Sequence, residues 1–159
     1  MGLNKGPFVV ADTVSVVGNP YDENTEGIIE LPDVGGLAVV VLSIDVPVKQ
    51  PKRTKVSIDS MVQVATTSFD PDLPVTSFKM TYEILRNDIV IATINDEMDY
   101  ATANEGRHTN FPNFPIVDNY PSTGINKYEL RCERDINNEE NLFDIFVASR
   151  SLKATVFTL

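Results

Sequence analysis

The stretch that most restricts this chain runs from Val75 to Asn95, VTSFKMTYEILRNDIVIATIN. From Phe78 onward, Phe78, Met80, Tyr82 and Ile84 fall on one side and Lys79, Thr81 and Glu83 on the other. That is the two-residue period of a half-buried strand, and it excludes an amphipathic helix. After Arg86 come Asn87 and Asp88, residue types that tolerate positive φ, and then the β-branched run Ile89, Val90, Ile91. A two-residue turn there sets Ile84 opposite Ile91 on one face and Leu85 opposite Val90 on the other. Both faces are apolar near the tip, so the hairpin is expected to be covered twice, once by its own domain and once by something else.

The remaining segments repeat the pattern. Pro7 to Val17 reads as a first strand with Phe8, Val10, Val14 and Val16 on one face, followed by the loop Gly18 to Gly27, GNPYDENTEG. A short edge segment, Ile28 to Leu31, stops at Pro32. From Leu37 to Val48, Val40, Leu42, Ile44, Val46 and Val48 share a face, while Leu37, Val39 and Val41 take the other. Val56, Ile58, Val62 and Val64 point inward from the next strand, and Tyr128, Leu130 and Cys132 from a later one. A brief helical turn is compatible with Asp96 to Asn104, and Asp96 to Gly124 as a whole has no sustained period. Leu142 to Ala148 and Leu152 to Leu159 read as two final strands. Eight to nine strands at spacings of about ten residues, joined by Pro, Gly, Asn and Asp, predict an all-β fold. The form expected is an antiparallel β-sandwich, jelly-roll-like, over residues 36–159, with residues 1–35 forming an N-terminal strand and flexible connector.

A chain of 159 residues fits one core without staples. Its 13 basic and 23 acidic residues leave a formal charge of −10, which opposes nucleic acid or an anionic membrane as partner. The N-terminal MGLNKGPFVV lacks the basic-then-apolar order of a secretory signal, and the longest apolar run, Leu37 to Leu42, falls far short of the roughly 20 residues of a membrane helix. No secretion signal and no membrane span are expected. Cys132 is the single cysteine, placed inside an alternating strand, so a buried and inert thiol is expected.

Residues for chemistry are scarce. The one histidine, His108, has no nucleophile's elbow near it, and one Cys with one His cannot make a zinc site. No glycine-rich phosphate loop occurs. Asp70 and Asp72, the group Asp96, Glu97 and Asp99, and the run Asp22, Glu23 and Glu26 offer oxygen ligands, but none has the spacing of a calcium loop, and acidic loops are ordinary in an acidic protein. No catalytic residue, metal ligand or cofactor is assigned. Asp96 and Asp99 remain the only support for a hydrolase.

Interaction is the better-supported reading. The first strand, ahead of an acidic loop, can add to a neighbour's sheet edge. Together with the two-sided apolar strands it defines a candidate self-assembly interface of Phe8, Val10, Val14, Val16, Leu37, Val39, Val41, Leu85 and Val90. The basic cluster Lys49 to Lys55, KQPKRTK, reads equally as a functional patch or as a solvated turn. The Pro-stiffened segment from Phe111 to Tyr120 offers Phe111, Phe114 and Tyr120 as a binding loop for carbohydrate or protein, or as a plug for one end of the sandwich.

The succession KVSIDSMVQVAT, FKMTYEILRNDIVIATI, a Pro-containing irregular stretch, TGINKYELRCE and a terminal SLKATVF resembles the exosporium protein C-like family of spore-surface proteins from spore-forming Firmicutes, over roughly residues 54–159. The resemblance implies a compact β-sandwich or jelly-roll building block without enzymatic activity, deposited by assembly at the spore or cell surface of a Gram-positive bacterium. Its partners would be copies of itself and other spore-surface proteins. The expected function is therefore a structural subunit of a surface layer or fibre. The alternative is a surface or phage-type receptor- or carbohydrate-binding jelly-roll module.

Overall fold

A computed structural model of the protein describes residues 8–33, 36–68, 76–100, 107–113, 115–135 and 142–158. In chain order the strands are β1 (Phe8–Ser15), β2 (Ile29–Glu30), β3 (Val39–Val48), β4 (Thr54–Ser68), β5 (Thr76–Arg86), β6 (Ile89–Tyr100), β7 (Arg107–Asn110), β8 (Ile116–Asp118), β9 (Gly124–Arg134) and β10 (Leu142–Thr158). A single 3-10 turn, Pro51–Arg53, links β3 to β4. One sheet has the order β1-β10-β4-β7, with β2 beside β10 and β8 beside β4, and the other has the order β3-β9-β5-β6. All pairings are antiparallel. Because β2 continues the β1 edge and β8 the β7 edge, the strands fill eight positions. The chain passes between the sheets as a jelly roll does.

The alternation of side chains explains the two layers. Phe78, Met80, Tyr82 and Ile84 from β5, Tyr128, Leu130 and Cys132 from β9, and Val56, Ile58, Val62 and Val64 from β4 are buried in one core between the sheets. Each fully buried aliphatic side chain contributes roughly 1.5–3 kcal/mol over leaving it in water. The Asn87-Asp88 turn has φ of 49° and 66°, positive at both central positions, as a type I′ hairpin turn requires.

Single-residue bulges account for most departures from simple alternation. In the β5–β6 hairpin Leu85 does face Val90, but Ile84 pairs with Ala92 rather than Ile91, because Ile91 is an extra residue in β6. In β3 the register shifts between Val40 and Leu42, so Val41 is the extra residue. The shift turns Val40 outward to solvent and packs Val39 against the core, the reverse of the expected assignment. Leu142 to Thr158 is one strand of 17 residues rather than two, its middle marked by a register shift between Val147 and Arg150. Nor is β1 a free tether. It pairs with β10 from Phe8↔Val156 to Ser15↔Arg150, so residues 8–15 belong to the sandwich. Asp96 to Tyr100 continues β6 instead of turning as a helix, and residues 101–104 of that expectation lie outside the described residues.

Arg150 explains the middle of β10. Its side chain turns inward, where Nε donates to the Val41 carbonyl at 3.0 Å and Nη1 to the carbonyls of Gly27 and Ala148 at 2.8 and 2.7 Å. The guanidinium thereby ties the β10 irregularity to the β3 bulge in the opposite sheet and to the loop before β2. Gly27 takes a φ of 87°, a conformation glycine adopts without strain. Burial lowers the pKa of Arg150 from its ordinary value.

Candidate self-assembly surface

The strand order defines two ends of the sandwich. At one lie the β5–β6 turn, the start of β9, the β3–β4 connection, the last residues of β10 and the start of β1. At the other lie the starts of β5 and β10, the ends of β6 and β9, and β7. At the first end Ile89, Val90, Val117, Tyr120, Ile125 and Phe157 are exposed, and Phe8 stands at its rim.

Tyr120 is held there by a closed set of bonds. Asp118, buried at the end of β8, accepts from Arg86 Nη1 at 2.8 Å (Oδ2) and 3.0 Å (Oδ1), from the Tyr128 hydroxyl at 2.7 Å, and from the Tyr120 backbone N–H at 3.0 Å. Arg86 Nη1 also donates to the Tyr120 carbonyl. Both backbone polar groups of Tyr120 are thus fixed while its side chain remains 84 % exposed. Charge-assisted bonds of this kind contribute roughly 1.5–3 kcal/mol each when shielded from water. The neighbouring chain is equally anchored. Asn126 exchanges hydrogen bonds with the N–H and carbonyl of Ser122, both at 2.8 Å. Asn87 N–H donates to the Lys127 carbonyl at 2.9 Å, and Lys127 N–H to Asn87 Oδ1 at 2.8 Å. Rigid exposed aromatics cost little conformational entropy when they bind.

Charge divides along the same axis. Lys49, Lys52 and Arg53 lie in the β3–β4 connection and Lys55 at the start of β4, at the Tyr120 end, while Asp96, Glu97, Asp99, Glu133 and Asp135 lie at the other. Two hollows mark the acidic end. One, of about 340 Å³, is lined by Lys79, Thr81, Asn95, Asp96, Glu97 and Asp135 among others. The second, of about 350 Å³, is formed by Tyr21, Asp22, Glu23, Asn24, Asp144 and Phe146. Its loop is fastened across the sheet by a hydrogen bond between Tyr21 and Thr109 and by Arg107, whose guanidinium carbon sits 5.2 Å from the Tyr21 ring centroid.

The sheet edges present a different surface. β1, β3 and β6 are edge strands, and each has its extra residue, at Val10, Val41 and Ile91 respectively. The fourth edge is split into the short β7 and β8 by a segment containing Pro112 and Pro115. Bulges, short strands and prolines are the devices by which a sheet refuses another chain's edge.

The sequence-derived interface residues separate accordingly. Phe8, Val14, Val16, Leu37 and Val90 are exposed, and Val39 is half-buried against the core. Val41 and Leu85 are buried within the chain itself, at 6 % and 3 % exposure, so neither is open to a partner. The inward tilt of the β3 bulge accounts for Val41, and Leu85 lies on the outer sheet face between its pairing partners Val90 and Glu129. The side chain of Val10 and the whole of Phe114 lie outside the described residues. Phe111 is exposed and does not plug an end, because its segment runs along the β4 edge, where Val62 N–H donates to the Pro112 carbonyl. Tyr120 lies at the end instead, so Phe111 and Tyr120 do not form one loop surface. Ile89, Val117, Ile125 and Phe157 were not singled out by sequence, since each sits in an otherwise ordinary strand.

Burial holds several ionisable groups in their neutral forms. Burial pushes the Cys132 thiol up to about 12, opposed by the nearby Arg150 charge. Burial also raises the Tyr82 hydroxyl well above its usual range, with Cys132 and the Asp96 carboxylate adding to it. Among the described residues that hydroxyl has no hydrogen-bond partner. Tyr128 is raised by burial and by its bond to Asp118. Asp96 and Asp99 face opposite sides of β6, paired with Met80 and Ser77, so they cannot flank one scissile bond. Among the described residues no group of three or more His, Cys, Asp or Glu is placed to hold a metal ion.

No family model matches the chain, and no curated protein does. Solved structures of like fold do exist. The VP2 subviral particle of infectious bursal disease virus aligns with 95 % of this chain and 33 % of its own, at 14 % identity and a TM-score of 0.52. The structure of the Gx strain of the same virus aligns with 94 % and 32 %, at 18 % identity and a TM-score of 0.48. Dimeric latent PorU from Porphyromonas gingivalis aligns with 96 % and 13 %, at 8 % identity and a TM-score of 0.43. The chain thus spans about a third of the length of the VP2 chains it matches. The subviral-particle VP2 shares the sandwich architecture, and at that identity the likeness concerns fold alone.

Proposed function

We propose that this protein is a non-enzymatic structural subunit that associates with copies of itself in a layer or fibre at the spore or cell surface of a Gram-positive bacterium. The observation that carries the self-association is Tyr120, whose backbone is locked by Arg86 and Asp118 while its ring stands in solvent beside Val117. An exposed aromatic side chain on a rigid backbone marks an interaction site. VP2, of like fold, occurs as a subviral particle, which supports a jelly roll in an assembling role. The surface location rests on the sequence resemblance over residues 54–159. Strand donation by β1 is set aside, because β1 is paired along β10.

The test is light scattering of the full chain beside Tyr120→Ser combined with Ile125→Ser. The wild type should show mass above the monomer, and the variant should return to monomer with an unchanged melting temperature. A variant that associates as the wild type does would remove this surface from the account. A second reading, carbohydrate binding, is favoured by the hollow of about 350 Å³ that Tyr120 shares with Pro51, Lys52, Asn119 and Pro121. Glycan-array binding by the wild type that disappears in Tyr120→Ala would establish that reading instead.

A further inference from the structure

Resting on the reading of the protein as self-associating, we propose that its contact is head to tail: the Tyr120 end of one copy docks on the acidic end of the next. Three observations lead there. First, the edges are closed to strand addition, three by bulges and one by fragmentation. Second, ion pairs and polar side chains cross the outer faces, separating the exposed apolar residues there, such as Val14, Val117 and Phe157. Arg131 pairs with Glu83 and Lys127 with Glu129 on one face, while Asp12, Lys153 and Asp59 align across the other. The two ends are set apart from these faces by their opposite charge.

Third, charge selects which ends meet. Lys49 and Lys52 are exposed in the rim around Tyr120. A symmetric contact of that end with itself would bring four basic residues against their own copies, with exposed Asp88 in the β5–β6 turn offsetting them only in part. The opposite end presents Glu23 beside its hollow and exposed Glu97 and Asp99 on β6. Basic rim against acidic rim gives charge complementarity around Tyr120. Such a contact joins two different patches, so it repeats from copy to copy and yields an open chain unless the rotation between copies closes a ring.

Two charge-reversed variants test this, with sites chosen for exposure so that folding is retained. One is Lys49→Glu with Lys52→Glu, at the Tyr120 end. The other is Glu23→Lys with Asp99→Lys, at the acidic end. Sedimentation velocity should show each variant alone weakened about ten-fold or more in association, and an equimolar mixture restored, since the two reversed surfaces now match. Wild-type association should also weaken between about 50 mM and about 500 mM salt. If the wild type associates and the Glu23→Lys, Asp99→Lys variant does so equally well, the head-to-tail contact is wrong while self-association stands. A wild type that stays monomeric throughout overturns both. Melting temperatures within about 2 °C of wild type, the range expected for exposed surface changes, exclude misfolding as the cause.

Discussion

Replacing Arg150 by Met should loosen the sandwich at the point where its two sheets are tied. The guanidinium serves the carbonyls of Val41, Ala148 and Gly27, and the bonds to Val41 and Ala148 are buried. Losing the donor strands two buried acceptors at roughly 1–3 kcal/mol each, while Gly27, on an exposed loop, recovers a water. Against this, methionine fills similar space without the desolvation that lowers the Arg150 pKa, a saving of a few kcal/mol at most. The net loss is about 2–4 kcal/mol, which for a chain of this length lowers the melting temperature by roughly 5–15 °C. Urea denaturation followed by tyrosine fluorescence measures the first quantity, and calorimetry the second. Because Gly27 sits between the acidic loop and β2, amide exchange should also quicken in residues 18–28. A Met variant as stable as the wild type would refute the reasoning, since it would mean that the β3 bulge satisfies its own carbonyl.

Two further outcomes are expected. Cys132 and Tyr82 are acids kept neutral by burial, so their folded pKa values lie above the unfolded ones. Their contribution is intact below the ordinary values and is lost as pH rises towards the folded ones. Each removes about 1.4 kcal/mol per pH unit once the unfolded form ionises, together roughly 4 kcal/mol by about pH 11. Thermal melts across alkaline pH should fall steeply above about pH 9–10, and Cys132→Ala should flatten the first part of that fall. A flat profile would contradict the burial of these groups. Separately, Asp88→Gly relieves a φ of 66° at the hairpin turn and should stabilise the protein by about 0.5–1 kcal/mol, read as a higher melting temperature.

How much of this was legible in the sequence depends on whether a feature is local. The inward faces of β4, β5 and β9 follow from strict alternation, and the turn at Asn87-Asp88 from residue types that accept positive φ. Bulges are not local in that sense. Ile91 and Val41 look like any other members of β-branched runs, and their extra-residue status depends on the partner strand. That is why Val40 and Val39 exchanged sides, and why Ile84 met Ala92. The split expected within β10 misread Ser149 to Ser151 as a break, because the carbonyls that draw Arg150 inward come from Val41 and Gly27, distant in sequence. The surface around Tyr120 was visible only as one aromatic residue. Ile89, Ile125 and Phe157 come from three separate strands, and only the winding of the sheets brings them to the same end of the sandwich. The basic cluster, ambiguous between patch and turn in the sequence, is a turn by structure, placed at the Tyr120 end.

The most direct test of self-association is sedimentation velocity of the unmodified chain from micromolar to near-millimolar concentration at low salt. The account predicts a weight-average mass that climbs with concentration through dimers to longer species, with partial reversal by added salt. A single 17.6 kDa species over the whole range would contradict it.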